Sequence, residues 1–253
     1  MGQNEDNKKF FNLTFNDFKE LAKDSSLSRH QKVGFPDSYR SNKEADIFRD
    51  VVDKVPQLKS TDKIVLEIGP GCSDLPVMLA NLCKKNTSRV IFVDSEEMLS
   101  HPPDEQHISK YPGIFPSALE KDIEKFKGKI NVIIAYSVIQ YVYLEGNIFA
   151  FLDHCLSLLA DGGELIYGDI PNVTMRKRFF SSQAGFQSHR EYVGRDEKPE
   201  VNFNRLEIGQ MDDSVVLAIL ARARAQGFHA WVMPQSSSLP MANRREDILI
   251  RKP

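Results

Sequence analysis

Several common features are scarce or missing in this sequence, and each absence excludes a class of protein. The 253 residues include only three cysteines, Cys72, Cys83 and Cys155. Their spacing fits neither a zinc nor a redox motif, and an odd count does not suit a disulfide framework, so we expect no metal site and a reducing, cytoplasmic environment. The sequence has no apolar run long enough to span a bilayer, and residues 1–9 are polar, so neither a membrane segment nor a secretory signal is predicted.

A strong net charge is also missing. The formal net charge is -2, which gives no overall signal for binding nucleic acid or an anionic membrane. The sequence contains no basic helix or aromatic–basic platform either, so nucleic acid is not an expected partner. With 41% hydrophobic residues, the chain is typical of a globular domain, and its length fits one domain with a small addition.

What the sequence does contain is a buried strand that runs into a glycine turn. Residues 64–68 are apolar except for Glu67, Gly69 and Gly71 mark the turn, and helical apolar spacing resumes at Leu75. Glycine lets the backbone approach a ligand closely, and the helix that follows offers free N–H groups and a positive dipole end. This stretch is typical of a nucleotide-binding loop.

Strands and helices alternate along the rest of the chain. Further strands are predicted at 89–93, 114–115, 132–135, 164–168, 228–233 and 247–250. Alternation over units of about 30 residues indicates an α/β fold with a parallel, doubly wound sheet and helices on both faces. Ligands of such sheets bind at the carboxyl ends of the strands, where we expect the following residues to converge: Gly69, Gly71, Asp94, Tyr136, Ser137 and Asp169.

Two segments fall outside this alternation. Residues 1–60 contain two predicted helices, at 14–23 and about 42–55, which we expect to form an N-terminal helical cap over one side of the site. Residues 61–253 would form the main domain. Within it, residues 170–211 are polar and irregular in pattern, and we interpret them as a substrate lid because long loops in compact domains commonly bind or cover ligands.

The composition of the glycine turn limits which nucleotide it can hold. A P-loop would need a lysine followed by Ser or Thr after the glycines, and this sequence has none there. A dinucleotide loop would need a third glycine where Asp74 stands, and a carboxylate at that point would repel a pyrophosphate. NAD and FAD are therefore disfavoured.

The arrangement resembles class I S-adenosylmethionine-dependent methyltransferases. Residues 67–72 match the first motif of that family, Asp94 matches the acidic residue that ends its second strand, and residues 132–141 and 158–165 look like its fourth strand and the entry to its fifth. The resemblance covers about residues 61–170 and the two terminal strands. It implies a Rossmann-like sheet of seven strands, mostly parallel with a C-terminal antiparallel strand, and S-adenosyl-L-methionine as cofactor with S-adenosyl-L-homocysteine as product.

The same resemblance implies roles for individual residues. Asp94 would accept both ribose hydroxyls, and Glu67 would support the loop or the methionine amino group. Two positions depart from the family: Asn131 replaces a common Asp, and Ser73 replaces a common third glycine. The cofactor-binding residues that the resemblance implies are Glu67, Gly69, Pro70, Gly71, Asp94, Ser95, Met98, Tyr136 and Ser137.

A catalytic base is harder to identify. Methyl transfer to oxygen or nitrogen requires mainly positioning and a group that takes the acceptor proton. The candidates are Asp169 at the end of the fifth strand, Tyr136 or Tyr141 after the fourth, and His189 in the predicted lid, whose imidazole suits a base near neutral pH. His154 lies in an apolar helical pattern and is interpreted as structural.

The C-terminal third is rich in arginine. Residues 171–253 hold 13 Lys and Arg against 9 Asp and Glu, and 10 of the 13 are arginine. Arginine suits bidentate recognition of phosphate or carboxylate, so we predict a small anionic acceptor, such as a nucleotide-activated sugar; the alternative is a solvated surface with ion pairs. Residues 167–172 and 243–250 are similar to segments of bacterial methyltransferases associated with surface-polysaccharide synthesis. The arginines in question are Arg176, Arg178, Arg190, Arg195, Arg205, Arg244 and Arg245.

Two other functions stay open. One is aminopropyl transfer from a decarboxylated cofactor by an enzyme of the same fold, although the region after the fourth strand lacks the clustered carboxylates that a polyamine needs. The other is a non-catalytic adenosylmethionine-binding regulatory protein, which Asn131 and the unidentified base leave open.

Overall fold

The structure is a computed structural model that describes residues 13–205 and 207–253. Within that part of the chain, seven strands form one sheet in the order β3-β2-β1-β4-β5-β7-β6. The strands are β1 Ile64–Ile68, β2 Arg89–Asp94, β3 Ile108–Pro112, β4 Ile130–Tyr136, β5 Leu159–Pro171, β6 His229–Pro234 and β7 Arg245–Arg251.

Strand direction in the sheet confirms the predicted fold class. β1 pairs in parallel with β2 and β4, β2 with β3, and β4 with β5. β7 lies between β5 and β6 and runs antiparallel to both. Because β1, β2, β4 and β5 point the same way, the residues that follow them meet at one edge of the sheet.

Helices cover both faces of the sheet. Before β1 lie α1 Phe15–Lys23, α2 Arg29–Lys32, α3 Asp37–Arg40 and α4 Glu44–Lys54. The others are α5 Leu75–Lys85, α6 Glu96–Leu99, α7 Ile123–Phe126, α8 Ile139–Glu145, α9 Ile148–Leu158, α10 Val173–Phe180, α11 Gln183–Val193 and α12 Asp213–Ala225. None of the helices in the described ranges has the length and apolar character needed to cross a bilayer.

Alternate residues of the strands supply two separate cores. Leu66 of β1 packs in a cluster with Leu152 of α9, whereas its neighbour Val65 packs in a second cluster with Leu79 of α5. Successive side chains of a strand point to opposite faces, so a strand that is apolar on both faces needs helices on both. The largely apolar sequences of β1 and β4 follow from this arrangement.

The predicted position of the third strand was wrong. The strand is Ile108–Pro112, not residues 114–115, and it is an edge strand that pairs only with β2 among the described strands. Its residues are half-buried or exposed, and Lys110 and Ser109 give it little apolar character. Residues 114–115 instead leave the sheet and line the cavity described below.

The interpretation of residues 170–211 as irregular also needs correction. Asn172 caps α10 by accepting hydrogen bonds from Thr174 and Met175, and Ser182 caps α11. Gly194 then ends α11 in the left-handed conformation, with φ of 70°. Polar side chains on these short helices weaken the apolar periodicity by which a helix is recognised in a sequence.

Candidate functional site

A cavity of about 420 Å³ opens at the edge of the sheet where β1, β2 and β4 end. Its walls come from the glycine turn, from the segments after β2, β3 and β4, and from α9. The N-terminal helical region contributes the remaining wall, with Phe15, Phe18, Val33, Phe35 and Arg40. The sequence patterns did not identify these cap residues as part of the site.

The glycine turn after β1 requires glycine at two positions. Gly69 has φ of 67° and Gly71 has φ of 66°, in the left-handed region that other residues avoid. A Cβ at Gly69 would lie 2.6 Å from Cγ2 of Val138, and one at Gly71 would lie 2.7 Å from Cγ1 of Val33. The turn therefore presents bare backbone to the cavity and lies in contact with the cap.

Asp94 ends β2 and is fixed by backbone hydrogen bonds. Its Oδ2 accepts the N–H of Gly71 at 3.0 Å, and its Oδ1 accepts the N–H of Ser95 at 2.7 Å. Burial raises the pKa of Asp94 to about 6, although both N–H groups act to lower it. Each carboxylate oxygen keeps a further lone pair, so Asp94 can accept two more hydrogen bonds from a ligand.

Ser95 and Met98 support this arrangement from the start of α6. The hydroxyl of Ser95 accepts the N–H of Met98 at 3.2 Å and so caps the helix. Met98 is buried and lines the cavity, whereas Ser95 does not. Of the expected cofactor-binding residues, Ser95 is thus the one that the structure leaves outside the cavity wall, where it orients Asp94 through its N–H.

Glu67 is a buried carboxyl that lines the same cavity. It is 5% exposed, and its Oε2 has no hydrogen-bond partner in the described part of the chain. Burial, reinforced by the negative charge of Asp94, raises the pKa of Glu67 to about 8. A buried polar atom without a partner at a cavity wall suits a ligand that donates to it.

Asp169 and Ser137 form a second polar cluster at the ends of β5 and β4. Both have positive φ, 60° and 58° respectively, and the hydroxyl of Ser137 donates to Oδ2 of Asp169. Arg245 donates to the same oxygen at 2.9 Å, and Arg40 donates to the oxygen of Ser137 at 2.8 Å. The carboxylate of Asp169 is thus engaged by neighbours, and Asp169 does not line the main cavity.

Tyr136 lines the cavity beside this cluster. Its ring packs so closely over Gly168 that a Cβ there would lie 2.3 Å from Cδ2 of the ring. Burial and the negative charge of Asp169 raise the pKa of Tyr136 well above its usual value. This shift favours the protonated phenol at neutral pH.

The structure places His189 apart from the other candidates. It lies on α11 and lines a second cavity with residues of α10 and of the segment 199–210, and its Nε2 is buried without a partner among the described residues. His154 was interpreted as a structural residue from the apolar helical pattern around it. Its side chain is exposed and lines the main cavity.

Asn131, which departs from the family pattern, and Cys72, which follows the loop glycines, have structural surroundings. The side-chain oxygen of Asn131 accepts the N–H of Ile64 at 2.9 Å and so joins β4 to the start of β1. Cys72, after the glycines, is buried, and burial raises the pKa of its thiol to about 11, which leaves it a poor nucleophile. The described residues contain no group of three or more His, Cys, Asp or Glu side chains that could hold a metal ion.

The arginines of the C-terminal third are largely engaged with neighbouring groups. Arg244 lies over the rings of Phe179 and Phe180, with its Cζ 4.9 Å from the centre of the latter. None of the seven arginines lines the main cavity in the described structure. Arg245 pairs with Asp169. The other five pair with carboxylates of residues 196–213 as follows: Arg176 with Glu207, Arg178 with Asp213, Arg190 with Asp196, Arg195 with Glu197, and Arg205 with Glu200.

No protein-family model and no curated protein sequence matches the chain. Solved structures do match it. A SAM-dependent methyltransferase from Archaeoglobus fulgidus is 13% identical, with 86% of this chain and 97% of that chain covered and a TM-score of 0.51. The plantazolicin methyltransferase BpumL, in complex with a triazolic desmethylPZN analog and SAH, is 14% identical, with 98% of both chains covered and a TM-score of 0.55.

A third structure matches over half of its own length. Phosphoethanolamine N-methyltransferase 1 of Haemonchus contortus, in complex with phosphoethanolamine and S-adenosylhomocysteine, is 14% identical, with 94% of this chain and 50% of that chain covered and a TM-score of 0.57. Similarity at this level of identity concerns the fold. This chain therefore has the Rossmann-like fold of S-adenosylmethionine-dependent methyltransferases.

Proposed function

We propose that this protein is an S-adenosylmethionine-dependent methyltransferase that acts on a small-molecule acceptor. The observation that carries the proposal is the pair of carboxyl groups, Glu67 and Asp94, beside a glycine turn that has no phosphate-binding residue. A cationic nucleoside without phosphates is the ligand that such a site suits. When bound, this cofactor supplies a methyl group on a positively charged sulfur.

The residues of the cavity fit that cofactor. The two free lone pairs of Asp94 would accept the ribose hydroxyls, and the unpartnered oxygen of Glu67 would accept the amino group of the methionine part. The bare backbone at Gly69 and Gly71 would let the chain of the ligand lie against the turn. Met98 and Phe115, both buried at the cavity wall, would flank the adenine.

The chain's own contribution to methyl transfer would be positioning rather than strong base catalysis. Aromatic side chains of the cap would keep water from the cavity, and the phenol of Tyr136 would donate a hydrogen bond. Asp169 would act as a positioning residue, since it holds Ser137 and Arg40 at the cavity wall. His189 has no part in this arrangement because it lines the other cavity.

The predicted anionic acceptor, such as a nucleotide-activated sugar, stays a prediction. The arginines on which it rested pair with carboxylates or lie over aromatic rings, and they do not line the main cavity. This geometry supports a methyl acceptor of another class more strongly. Aminopropyl transfer also receives little support, because Glu145 is the single acidic residue that the segment after β4 contributes to the cavity wall among the described residues.

A non-catalytic adenosylmethionine-binding protein is the second candidate. It is favoured by the state of the predicted bases: Asp169 is engaged by two arginines, and Tyr136 keeps its proton. The two candidates differ in turnover. Incubation with methyl-labelled cofactor and pools of small molecules would place label in an acceptor if the protein is an enzyme, and in none if it is a binder.

Cofactor binding itself can be tested by calorimetry with S-adenosylhomocysteine. We expect Asp94→Ala to weaken binding at least tenfold, since a hydrogen bond to a charged group contributes about 1.5–3 kcal/mol. Asp104→Ala is the matched control, because that side chain is 91% exposed and lies outside the cavity wall. Absence of binding by the unaltered protein at millimolar ligand would contradict the proposed function, and equal affinity in Asp94→Ala would contradict the role of Asp94.

A further inference from the structure

The cavity extends beyond the residues that the cofactor requires. Its second part, the cap-side chamber, is formed by side chains of α1, the segment around α2 and α3, and α8: Phe15, Phe18, Val33, Phe35, Tyr141 and Val142. All six are apolar or aromatic. The chamber and the glycine turn are continuous, because Val33 lies against Gly71.

The aromatic walls of this chamber are incompletely covered by protein. Phe15, Phe18 and Tyr141 are only half-buried, although they belong to elements packed over the sheet. The rings of Phe18 and Tyr141 meet edge to face, with centroids 4.9 Å apart, and so join α1 to α8. Aromatic side chains that keep a free face beside a cavity offer contact area to a flat apolar ligand.

The charges around the chamber do not suit an anion. In the described part of the chain, the main cavity is lined by the acidic side chains Asp94 and Glu145 and by the protonatable Glu67, against one permanently basic side chain, Arg40. Arg40 is 5% exposed, and its guanidinium carbon lies 4.1 Å from the centre of the Phe35 ring.

The guanidinium of Arg40 already donates hydrogen bonds to residues at the ends of β4 and β5. It donates to Ser137 at 2.8 Å and to the carboxylate of Asp169 at 3.4 Å. To meet a phosphate it would have to give up its hydrogen bonds to Ser137 and Asp169, and the buried carboxylate of Asp169 would keep one arginine, Arg245, instead of two. Among the residues that the structure describes, the cavity wall therefore offers no free cation for a phosphorylated acceptor.

We infer that the cap-side chamber takes an uncharged acceptor with a flat aromatic body and no phosphate, which presents its hydroxyl toward the glycine-turn side of the cavity. This inference rests on the proposed function. On transfer, the hydroxyl oxygen would use a lone pair to form the new bond to the methyl carbon as the bond from that carbon to sulfur breaks. The bonding electrons would stay with sulfur, and the hydroxyl proton would pass to water.

A matched pair of probes tests the inference. The full chain is saturated with S-adenosylhomocysteine and titrated with 2-naphthol and with 2-naphthyl phosphate, which share one aromatic body and differ in the phosphate. We expect 2-naphthol to bind and the phosphate to bind at least tenfold more weakly. Phe18→Ala should weaken 2-naphthol binding about tenfold, as expected for the loss of one buried aromatic contact.

Controls separate a local effect from unfolding. Phe203→Ala makes the same change at an aromatic residue that is 56% exposed and outside the cavity wall, and it should leave 2-naphthol binding unchanged. Tyr141→Ala, on a different helix, is a second variant if Phe18→Ala loses affinity for S-adenosylhomocysteine. It should also weaken 2-naphthol binding while that affinity is kept.

The outcomes distinguish the inference from the proposed function. If S-adenosylhomocysteine binds and 2-naphthyl phosphate binds as tightly as 2-naphthol or more tightly, the acceptor class is wrong while the proposed function stands. The same holds if 2-naphthol does not bind at all, or if neither chamber variant changes its affinity. If S-adenosylhomocysteine itself fails to bind, the proposed function fails first.

Discussion

Burial and the proposed ligand have opposite effects on the protonation of Glu67. Its carboxyl lies inside the protein with an unpartnered oxygen, and its pKa is raised to about 8 by burial. An acid whose pKa is higher in the folded than in the unfolded chain destabilises the fold as pH rises between those two values. The ligand-free protein should therefore lose stability from about pH 4.5 to pH 8, the ordinary and the raised pKa of this group.

A ligand that places an ammonium group beside Glu67 should reverse the protonation of this carboxyl. At pH 7 the carboxyl of the free protein holds its proton, and an ammonium group placed beside it favours the carboxylate, so S-adenosylhomocysteine binding should release up to one proton. Asp94, with a pKa of about 6, is already mostly ionised at pH 7 and contributes little to this release.

Calorimetry in buffers of different ionisation enthalpy measures the released proton. The binding enthalpy should vary with the buffer for the unaltered protein and for Glu124→Gln, a control whose carboxyl is 81% exposed. It should not vary for Glu67→Gln. A buffer-independent enthalpy in the unaltered protein would show that Glu67 does not meet a cation.

At the scale of elements, the strands and helices that were predicted best are those whose sequence pattern matches their burial in the folded protein. β1, the glycine turn and α5 were predicted almost to the residue, because a strand buried on both faces is apolar throughout and the turn needs glycine at Gly69 and Gly71. β3 was misplaced because an edge strand is half-exposed and carries polar residues such as Lys110. α10 and α11 were missed because short polar helices have weak periodicity.

The candidate site also contains one part that the sequence pattern could predict and one part that it could not. Glu67, Asp94 and the glycines could be predicted because one contiguous motif and its spacing carry them. The cap-side chamber could not, since it forms where residues 13–43 fold back over elements more than a hundred positions away, as in the contact of Phe18 with Tyr141. A pattern on α1 predicts an apolar stripe, and only the packing shows that the stripe faces a cavity.

The contact between the cap and the glycine turn predicts a coupled pair of substitutions. Gly71→Ala should lower the free energy of unfolding, because its left-handed backbone costs a non-glycine residue about 1–2 kcal/mol and the new Cβ would lie 2.7 Å from Val33. Val33→Ala removes the methyl group that causes the second effect. The double variant should therefore be less destabilised than the two single changes added together.

Urea denaturation of the four proteins in this cycle measures the coupling. We expect an interaction energy of about 0.5–3 kcal/mol in favour of the double variant, the range found for residues in contact. In a control cycle, Leu217→Ala replaces Val33→Ala. Leu217 is an apolar side chain on α12 that is 59% exposed, so its effect on the free energy of unfolding should simply add to that of Gly71→Ala. Strict additivity of the two effects in the Gly71 and Val33 cycle would contradict a direct contact between Val33 and the glycine turn.

At the scale of the whole molecule, a buried network of charges joins the cap to the far side of the sheet. Lys54 of α4 donates to Asp247 of β7 at 2.6 Å, and the other oxygen of Asp247 accepts the N–H of Asp169 at 2.8 Å. Asp169 then pairs with Arg40 and Arg245. The network thus links α3 and α4 with the ends of β5 and β7, which no local pattern in the sequence could reveal.

Removing one member of this network should destabilise the entire fold. The Lys54 side chain is 9% exposed and the Asp247 side chain is 0% exposed, so Lys54→Met leaves a buried carboxylate without its cation. We expect a loss of about 3–5 kcal/mol in the free energy of unfolding, as for other broken buried pairs. Lys59→Met breaks the exposed pair with Asp53, where both side chains are more than half exposed, and should cost less than about 1 kcal/mol.

The comparison of these two variants by urea denaturation tests whether the cap and the sheet unfold together. A single transition that moves to lower urea in Lys54→Met, at unchanged slope, would mean that both parts belong to one cooperative unit, because the slope reports the surface exposed on unfolding. The Lys54→Met, Asp247→Asn double variant should regain part of the lost stability, since the charge of Asp247 is gone while Asp50, which also pairs with Lys54, keeps its charge. Equal effects of Lys54→Met and Lys59→Met would contradict a buried link between the cap and β7.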